Sequence, residues 1–195
     1  TPAAGLLRLS QRLTLDTWEQ LEPLRQQARY AGAEGLMLKA LDSPYLVGRK
    51  RGSWWKHKLD PYSLDAVLLY AQAGSGRRAN LFTDYTFGLW ERSPTEAGSP
   101  PRLVSFAKAY SGLDDGEITA LDRWIRSHTI ERFGPVRAVE PLQVFELAFE
   151  GIQRSSRHKS GIAVRFPRIS RWRRDKPAAE ADTLATALAL LEPLT

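Results

Sequence analysis

The chain has 195 residues, 43% of them hydrophobic, which is enough apolar material to bury the core of one or two compact domains and excludes a disordered chain. It has no cysteine, so a disulfide framework, a thiolate zinc site and a cysteine nucleophile are excluded, and His57, His128 and His158 are too scattered for a metal cluster. The net charge is +6 but unevenly placed: residues 154–176 hold nine cations and one acid, residues 49–58 hold five cations and no acid, and the remainder sums to −7. Two short basic clusters on an acidic body predict sites for a polyanion, with phosphate the leading chemistry. No apolar run approaches the roughly 18 residues of a membrane span, and the N-terminus shows no basic-then-apolar signal segment, so a soluble cytoplasmic protein is expected.

In chain order, the spacing of Leu15, Trp18, Leu21, Leu24 and Ala28 predicts a helix from Asp16 to about Tyr30, capped by Asp16 or Thr14 and ended by Gly32. Residues 34–41 then predict a strand, residues 42–52 a turn-rich basic loop, and residues 53–59 a second strand. One helix and two strands bury too little apolar surface to stand alone, which marks residues 1–60 as the end of a larger domain. Lys56 and Lys58, two apart on a strand, project to one face and can converge on one anion. Glu34 and Lys39 bracket the first strand. A carboxylate beside lysines suits a magnesium–phosphate site, in which the acid meets the metal and the lysines neutralise charge. The same spacing also fits a solvated strand face with Glu34 paired to a lysine, and Trp54 and Trp55 fit core positions as well as ligand platforms.

From Pro61 onward the texture changes. Residues 64–73 and 80–90 predict two strands around a turn at residues 74–78, and a Pro/Gly/Ser-rich loop at residues 93–101 leads to a third strand at residues 103–107. Residues 114–132 predict an amphipathic helix capped by Asp114 or Asp115, with Ile118, Leu121, Ile125 and Thr129 on one side. Two more strands follow at residues 136–140 and 142–149. Five strands with a helix between the third and fourth is the order expected of an OB-fold barrel, a platform for nucleic acid, though other small barrels share that count; the expected fold class is α+β. In residues 161–176, Arg and Lys alternate with Phe166 and Trp172, a mix able to hold phosphates while the two aromatic side chains anchor the segment to the barrel. A solvated basic loop and a non-specific nucleic-acid patch fit those residues too. The alanine- and leucine-rich residues 178–191 predict a helix that packs back on the protein.

Three patterns together resemble the covalent nucleotidyltransferase superfamily, and within it the C-terminal part of a bacterial ATP-dependent DNA ligase. Glu34-Gly35-Leu36-Met37-Leu38-Lys39 resembles ligase motif IV, Trp54-Trp55-Lys56-His57-Lys58 motif V, and Arg165-Phe166-Pro167-Arg168 through Arg173-Arg174-Asp175-Lys176 motif VI; residues 108–113 are similar to the start of the OB-domain helix. The resemblance implies an adenylation-domain end at residues 1–60 and an OB domain at residues 61–195. It also implies ATP and Mg2+ as cofactors, nicked duplex DNA as partner, a monomer, and a place near the nucleoid. By position it puts Glu34 near the metal and nucleotide, Met37 against the adenine, Lys39 beside the nucleotide, and Lys56 and Lys58 on the AMP phosphate. Arg173, Asp175 and Lys176, supported by Arg165 and Arg168, would orient the leaving pyrophosphate, and Arg154, Arg157, Lys159 and Arg171 would meet DNA. Such a division suits phosphoryl transfer, which is mostly positioning and charge neutralisation.

No Lys-x-Asp-Gly pattern occurs in the 195 residues, so self-adenylation is not expected of this chain by itself. His57 stands where the family usually has an apolar or aromatic residue, and Arg174 where an acid is common. A non-catalytic OB module and an RNA capping guanylyltransferase are the rival readings; the first leaves residues 34–39 unexplained and the second fits residues 165–176 less well. An NAD-dependent ligase is disfavoured because its zinc module requires cysteines.

Overall fold

The structure is a computed structural model that describes residues 10, 12–74, 76, 80–95 and 101–191, and the chain divides into two units, Thr1–Leu59 and Asp60–Thr195. The predicted turn at residues 74–78 and the predicted loop at residues 93–101 lie partly outside the described residues.

In the first unit a 3-10 turn, Trp18–Gln20, runs into α1 (Leu21–Gln27). The helix is shorter than the apolar spacing predicts. No side chain caps its entry, Asp16 instead donates its N–H to Gln20 Oε1 (2.9 Å), and turns replace the helix after Ala28. Arg25, only 8% exposed, ties α1 to the end of the strand Trp54–Lys58 by donating to the Lys58 carbonyl (2.6 Å) while its other nitrogens hold Glu22. β1 (Gly35–Lys39) and β2 (Trp54–Lys58) pair antiparallel, Gly35 opposite Lys58, Met37 opposite Lys56 and Lys39 opposite Trp54. Opposed residues share a face, so these six positions line one surface of the hairpin. Gly35 (φ +134) is required there, because a Cβ would run into the His57 carbonyl and the Lys58 backbone.

The second unit is built on β3 (Tyr62–Ala73). Its first half pairs with β8 (Val144–Phe149), its second half with β7 (Val136–Val139), and β4 (Phe82–Trp90) runs along the other edge from Val67 onward. β5 (Leu103–Ala109) extends the sheet beyond β4 and β11 (Arg168–Trp172) extends it beyond β8, while β6 (Thr129–Phe133) hangs on β7. The order is therefore β11-β8-β3-β4-β5, and among the described residues no pairing joins its two ends. A separate hairpin pairs β9 (Gly151–Arg154) with β10 (Ile162–Arg165). The core between the elements is aromatic: Phe145 meets Phe87 edge-on (5.3 Å) and stacks on Trp172 (5.3 Å).

α2 (Asp115–Ser127) starts on a capping box, in which Asp114 Oδ1 accepts from the Glu117 N–H (2.7 Å) and Glu117 Oε2 from the Asp114 N–H (3.1 Å). It buries Leu121 and Ile125 but stops before the predicted residue 132. His128 closes it, and the β-branched and aromatic run Thr129, Ile130, Phe133, followed by a turn at Gly134, makes a strand instead. Gly112 (φ +114) lies so close to Ile169 that a Cβ would meet its carbonyl, and the Ile169 N–H donates to Ser111 (2.9 Å). β11 is thereby locked to the turn ahead of α2. At the C-terminal end a 3-10 turn, Ala178–Glu180, precedes α3 (Leu184–Ala189), which Thr183 caps and whose Leu184 and Leu188 pack on the core.

Candidate functional site

The first cluster lies on the hairpin of the first unit. The register puts Met37, Lys39, Lys56 and Lys58 on one exposed face, as the alternation predicts for the two lysines. Glu34, at the entry to β1, reaches Lys58, with Oε2 to Nζ 3.8 Å. Lys39 is engaged differently: its ammonium sits 4.3 Å above the Trp54 ring, whose N–H donates to Ser43 Oγ (2.9 Å) and whose edge meets Tyr45 (5.8 Å). Trp54 and Trp55 are 43% and 51% exposed and are not core residues. His57 turns to the other face, 3.5 Å from Glu22, whose carboxyl is held down to about 2 by hydrogen bonds from Arg25 and Gln26. One carboxylate is too few ligands to cage a bare divalent ion, and the described residues contain no cluster of three or more metal-ligating side chains. One carboxylate beside lysines fits a magnesium ion that keeps most of its ligands from a phosphate chain and water, to which Glu34 would add a single oxygen.

The second cluster follows β11 in the second unit. Trp172 anchors this segment on Phe145 and donates to Gln143 Oε1 (2.9 Å), whereas Phe166 stays 62% exposed at φ +52 with the Arg165 guanidinium 4.9 Å above its ring. The expectation that both aromatics anchor the segment therefore holds for Trp172 alone: Phe166 occupies the tight β10–β11 connection, which points away from the core. Arg174 covers the outer face of Trp172 at 4.1 Å.

The remaining cations meet acids that sequence reasoning did not single out. Arg168 bonds Glu150 (3.0 Å), Arg171 bonds Glu146 (3.4 Å), and Arg173 Nη1 and Lys176 Nζ both donate to Asp65 Oδ2 (2.8 and 2.7 Å). Arg173 also takes Asp175 with Nε and Nη2, a bond that pulls the Asp175 carboxyl down to about 2 and raises the guanidinium above its usual range. The only advance signal was an aspartate inside the apolar run of β3; Glu146 faces it across β8 by register.

Arg154, Arg157 and Lys159 are exposed around the β9–β10 hairpin, where Ser155 Oγ and His158 Nδ1 lie 2.8 Å apart. Arg157 and Lys159 border a groove of about 530 Å3, completed by Leu69, Tyr70, Arg102 and Val104. Tyr70 and Arg102 were not anticipated. The structure thus gathers Glu34, Met37, Lys39, Lys56 and Lys58 on the hairpin, and in the second unit it puts Arg157 and Lys159 at the groove and Arg173 and Lys176 on Asp65.

A two-stranded antiparallel hairpin followed by a seven-stranded antiparallel sheet is a fold shared with a solved DNA ligase domain. The ligase domain of LigD from M. tuberculosis has this fold, with a TM-score of 0.50 and 21% identity over 80% of this chain and 50% of that one. Residues 1–58 match the ATP dependent DNA ligase domain and residues 78–176 the ATP dependent DNA ligase C terminal region, so the chain belongs to the ATP-dependent DNA ligase family. It is 44% identical over 187 residues to a probable DNA ligase of Koribacter versatilis and 43% identical over 164 residues to one of Kineococcus radiotolerans, matching 96% and 84% of this chain. It spans 31% of the length of each of those relatives.

Proposed function

We propose that this chain is the C-terminal part of an ATP-dependent ligase that seals nicks in duplex DNA through enzyme–AMP and DNA–adenylate intermediates. Residues 1–60 end the nucleotidyltransferase domain and residues 61–195 form the OB domain; the protein acts as a monomer in the cytoplasm, near the nucleoid. Among the described residues no helix is long and apolar enough to cross a membrane, in keeping with that setting.

The observation that carries the reading is the shared face of Met37, Lys56 and Lys58 with Glu34 at its edge. Met37, half exposed beside the lysines, offers an apolar surface to the adenine, and Lys39 with Trp54 flanks it. Lys56 and Lys58 neutralise the AMP phosphate through every stage that contains it. Glu34 would hold Mg2+, which when bound would shield the phosphates and polarise the reacting phosphorus–oxygen bonds. Lys176 and Arg173, oriented by Asp175 and supported by Arg165 and Arg168, steady the departing pyrophosphate. Arg157 and Lys159 hold DNA phosphates along the groove with Arg102, Arg154 adds its charge from β9, and Arg171 joins them from its bond to Glu146.

The test is a labelling experiment with ATP carrying a radioactive α-phosphate and Mg2+. The 195-residue chain alone should stay unlabelled, while a full-length ligase containing this sequence and carrying an upstream Lys-x-Asp-Gly lysine should form a covalent lysine–AMP adduct and seal a nicked duplex. A full-length protein that takes up no label while still binding DNA would support a non-catalytic module instead.

A further inference from the structure

Arg173 and Lys176 do not face the solvent with free charges. Their side chains are only 19% and 20% exposed and both end on a single oxygen of Asp65, whose own side chain is 10% exposed. The other oxygen, Oδ1, is buried without a hydrogen-bond partner among the described residues. A buried carboxylate that leaves one oxygen idle carries a desolvation cost without return, and such a group calls for an explanation other than stability. Asp65 also cannot follow its cations. Its backbone is pinned by reciprocal bonds with Asp182, N–H to Oδ2 (2.7 Å) and carbonyl to N–H (2.8 Å), and by its place opposite Glu146 in the sheet. Arg173 and Lys176 sit instead on the turn after β11, closed by the Lys176 N–H on the Arg173 carbonyl (3.1 Å).

We propose that Asp65 is a positioning residue, an internal counter-ion that keeps Arg173 and Lys176 in a neutral cluster and yields them to a polyphosphate but not to a single phosphate diester. The proposal rests on reading those two cations as polyphosphate ligands. Together Asp65, Asp175, Arg173 and Lys176 carry no net charge, so the cluster exerts little pull on the backbone of DNA. A diester brings one negative charge and replaces one, with nothing gained for the broken bonds. A polyphosphate brings several charges and acceptors on adjacent groups and can engage both cations at once, so it displaces a single carboxylate. Asp65 thereby gives the site selectivity between the leaving group of the nucleotide and the phosphates of DNA.

The test uses this chain and its Asp65→Asn variant, titrated with tripolyphosphate and separately with a nicked duplex, with folding checked by thermal melting. Removing the counter-ion should tighten tripolyphosphate binding about tenfold and steepen the salt dependence of duplex binding by about one phosphate contact. Adding Lys176→Ala to Asp65→Asn should cancel the gain. A folded Asp65→Asn chain that binds tripolyphosphate no tighter than its parent overturns the proposal. If Lys176→Ala in the otherwise unchanged chain leaves tripolyphosphate binding untouched, the polyphosphate reading itself fails. Should Asp65→Asn not fold, the unaltered chain decides: saturating tripolyphosphate must shift the Asp65 carboxylate carbon resonance together with the Lys176 signals, and an Asp65 resonance that stays put while Lys176 moves overturns the counter-ion role.

Discussion

The two units carry basic clusters of the same kind and treat them in opposite ways. On the hairpin of the first unit, Lys56 and Lys58 stand on an exposed face, and Glu34 reaches Lys58 at 3.8 Å. In the second unit, Arg168, Arg171, Arg173 and Lys176 are each met by a carboxylate from β3, β8 or the residue after β8. The difference follows from how much structure surrounds each cluster. The hairpin is only two strands wide, and the acid that α1 brings to it, Glu22, reaches His57 on the face opposite the lysines, whereas a wider sheet presents neighbouring strands whose outward positions hold charges at fixed spacing. The lesson is that a run of arginines and lysines in a sequence measures the charge available, and the fold decides how much of it remains available to a ligand.

The sharpest way to break this contrast is to attack the core that makes it possible. Phe145→Ala removes a fully buried ring between Phe87 and Trp172 and should cost the second unit about 3–5 kcal/mol in denaturant unfolding. Trp55→Ala, at a half-exposed position of the hairpin, should cost about 0.5 kcal/mol. Equal losses would mean that the hairpin is as well packed as the sheet. An effect between these two is expected of Gly112→Ala, which forces a Cβ against Ile169 in a left-handed backbone and should cost about 1–3 kcal/mol; hydrogen exchange should show the loosening concentrated at β11. Uniform loosening of the whole unit would deny that Gly112 locks that strand.

The smallest effect concerns acid. The Glu22 carboxyl lies at about 2, below its ordinary 4.5, because Arg25 and Gln26 bond its charged form. A carboxyl lowered by folding adds stability above its unfolded value and loses it as the pH falls toward the folded value. The thermal midpoint of Glu22→Gln should therefore lie below that of the unaltered chain at pH 6, with the gap closing between pH 4.5 and about 2. A gap that stays constant over that window would show that Glu22 acts through shape and not through charge.

Much of the frame was legible in the residues. The apolar run of β3, the alternation of β2 and the Asp114 capping signal each encode their structure locally, and Lys56 and Lys58 share a face because a strand repeats every two residues. The length of α2 was not legible, since Thr129 continues the helical spacing even though Ile130 and Phe133 suit a strand that only the pairing with β7 makes worthwhile. β9, β10 and β11 were missed for a similar reason: they are four or five residues long, rich in arginine, and stabilised by partners elsewhere in the chain. Asp65 lies over a hundred positions before Arg173 and Lys176, and only the register of β3, β8 and β11 brings them together.

The central claim is that the two clusters meet different phosphates, and a stage-resolved ligation assay tests it most directly. In a full-length ligase containing this sequence, Lys176→Ala should slow enzyme adenylation far more than sealing of a pre-adenylated nick, because pyrophosphate is present only in the first stage. Lys58→Ala should slow both stages, because the AMP phosphate persists through them. Equal losses at both stages for Lys176→Ala, or a Lys58→Ala enzyme that seals pre-adenylated nicks at the parental rate, would contradict the account.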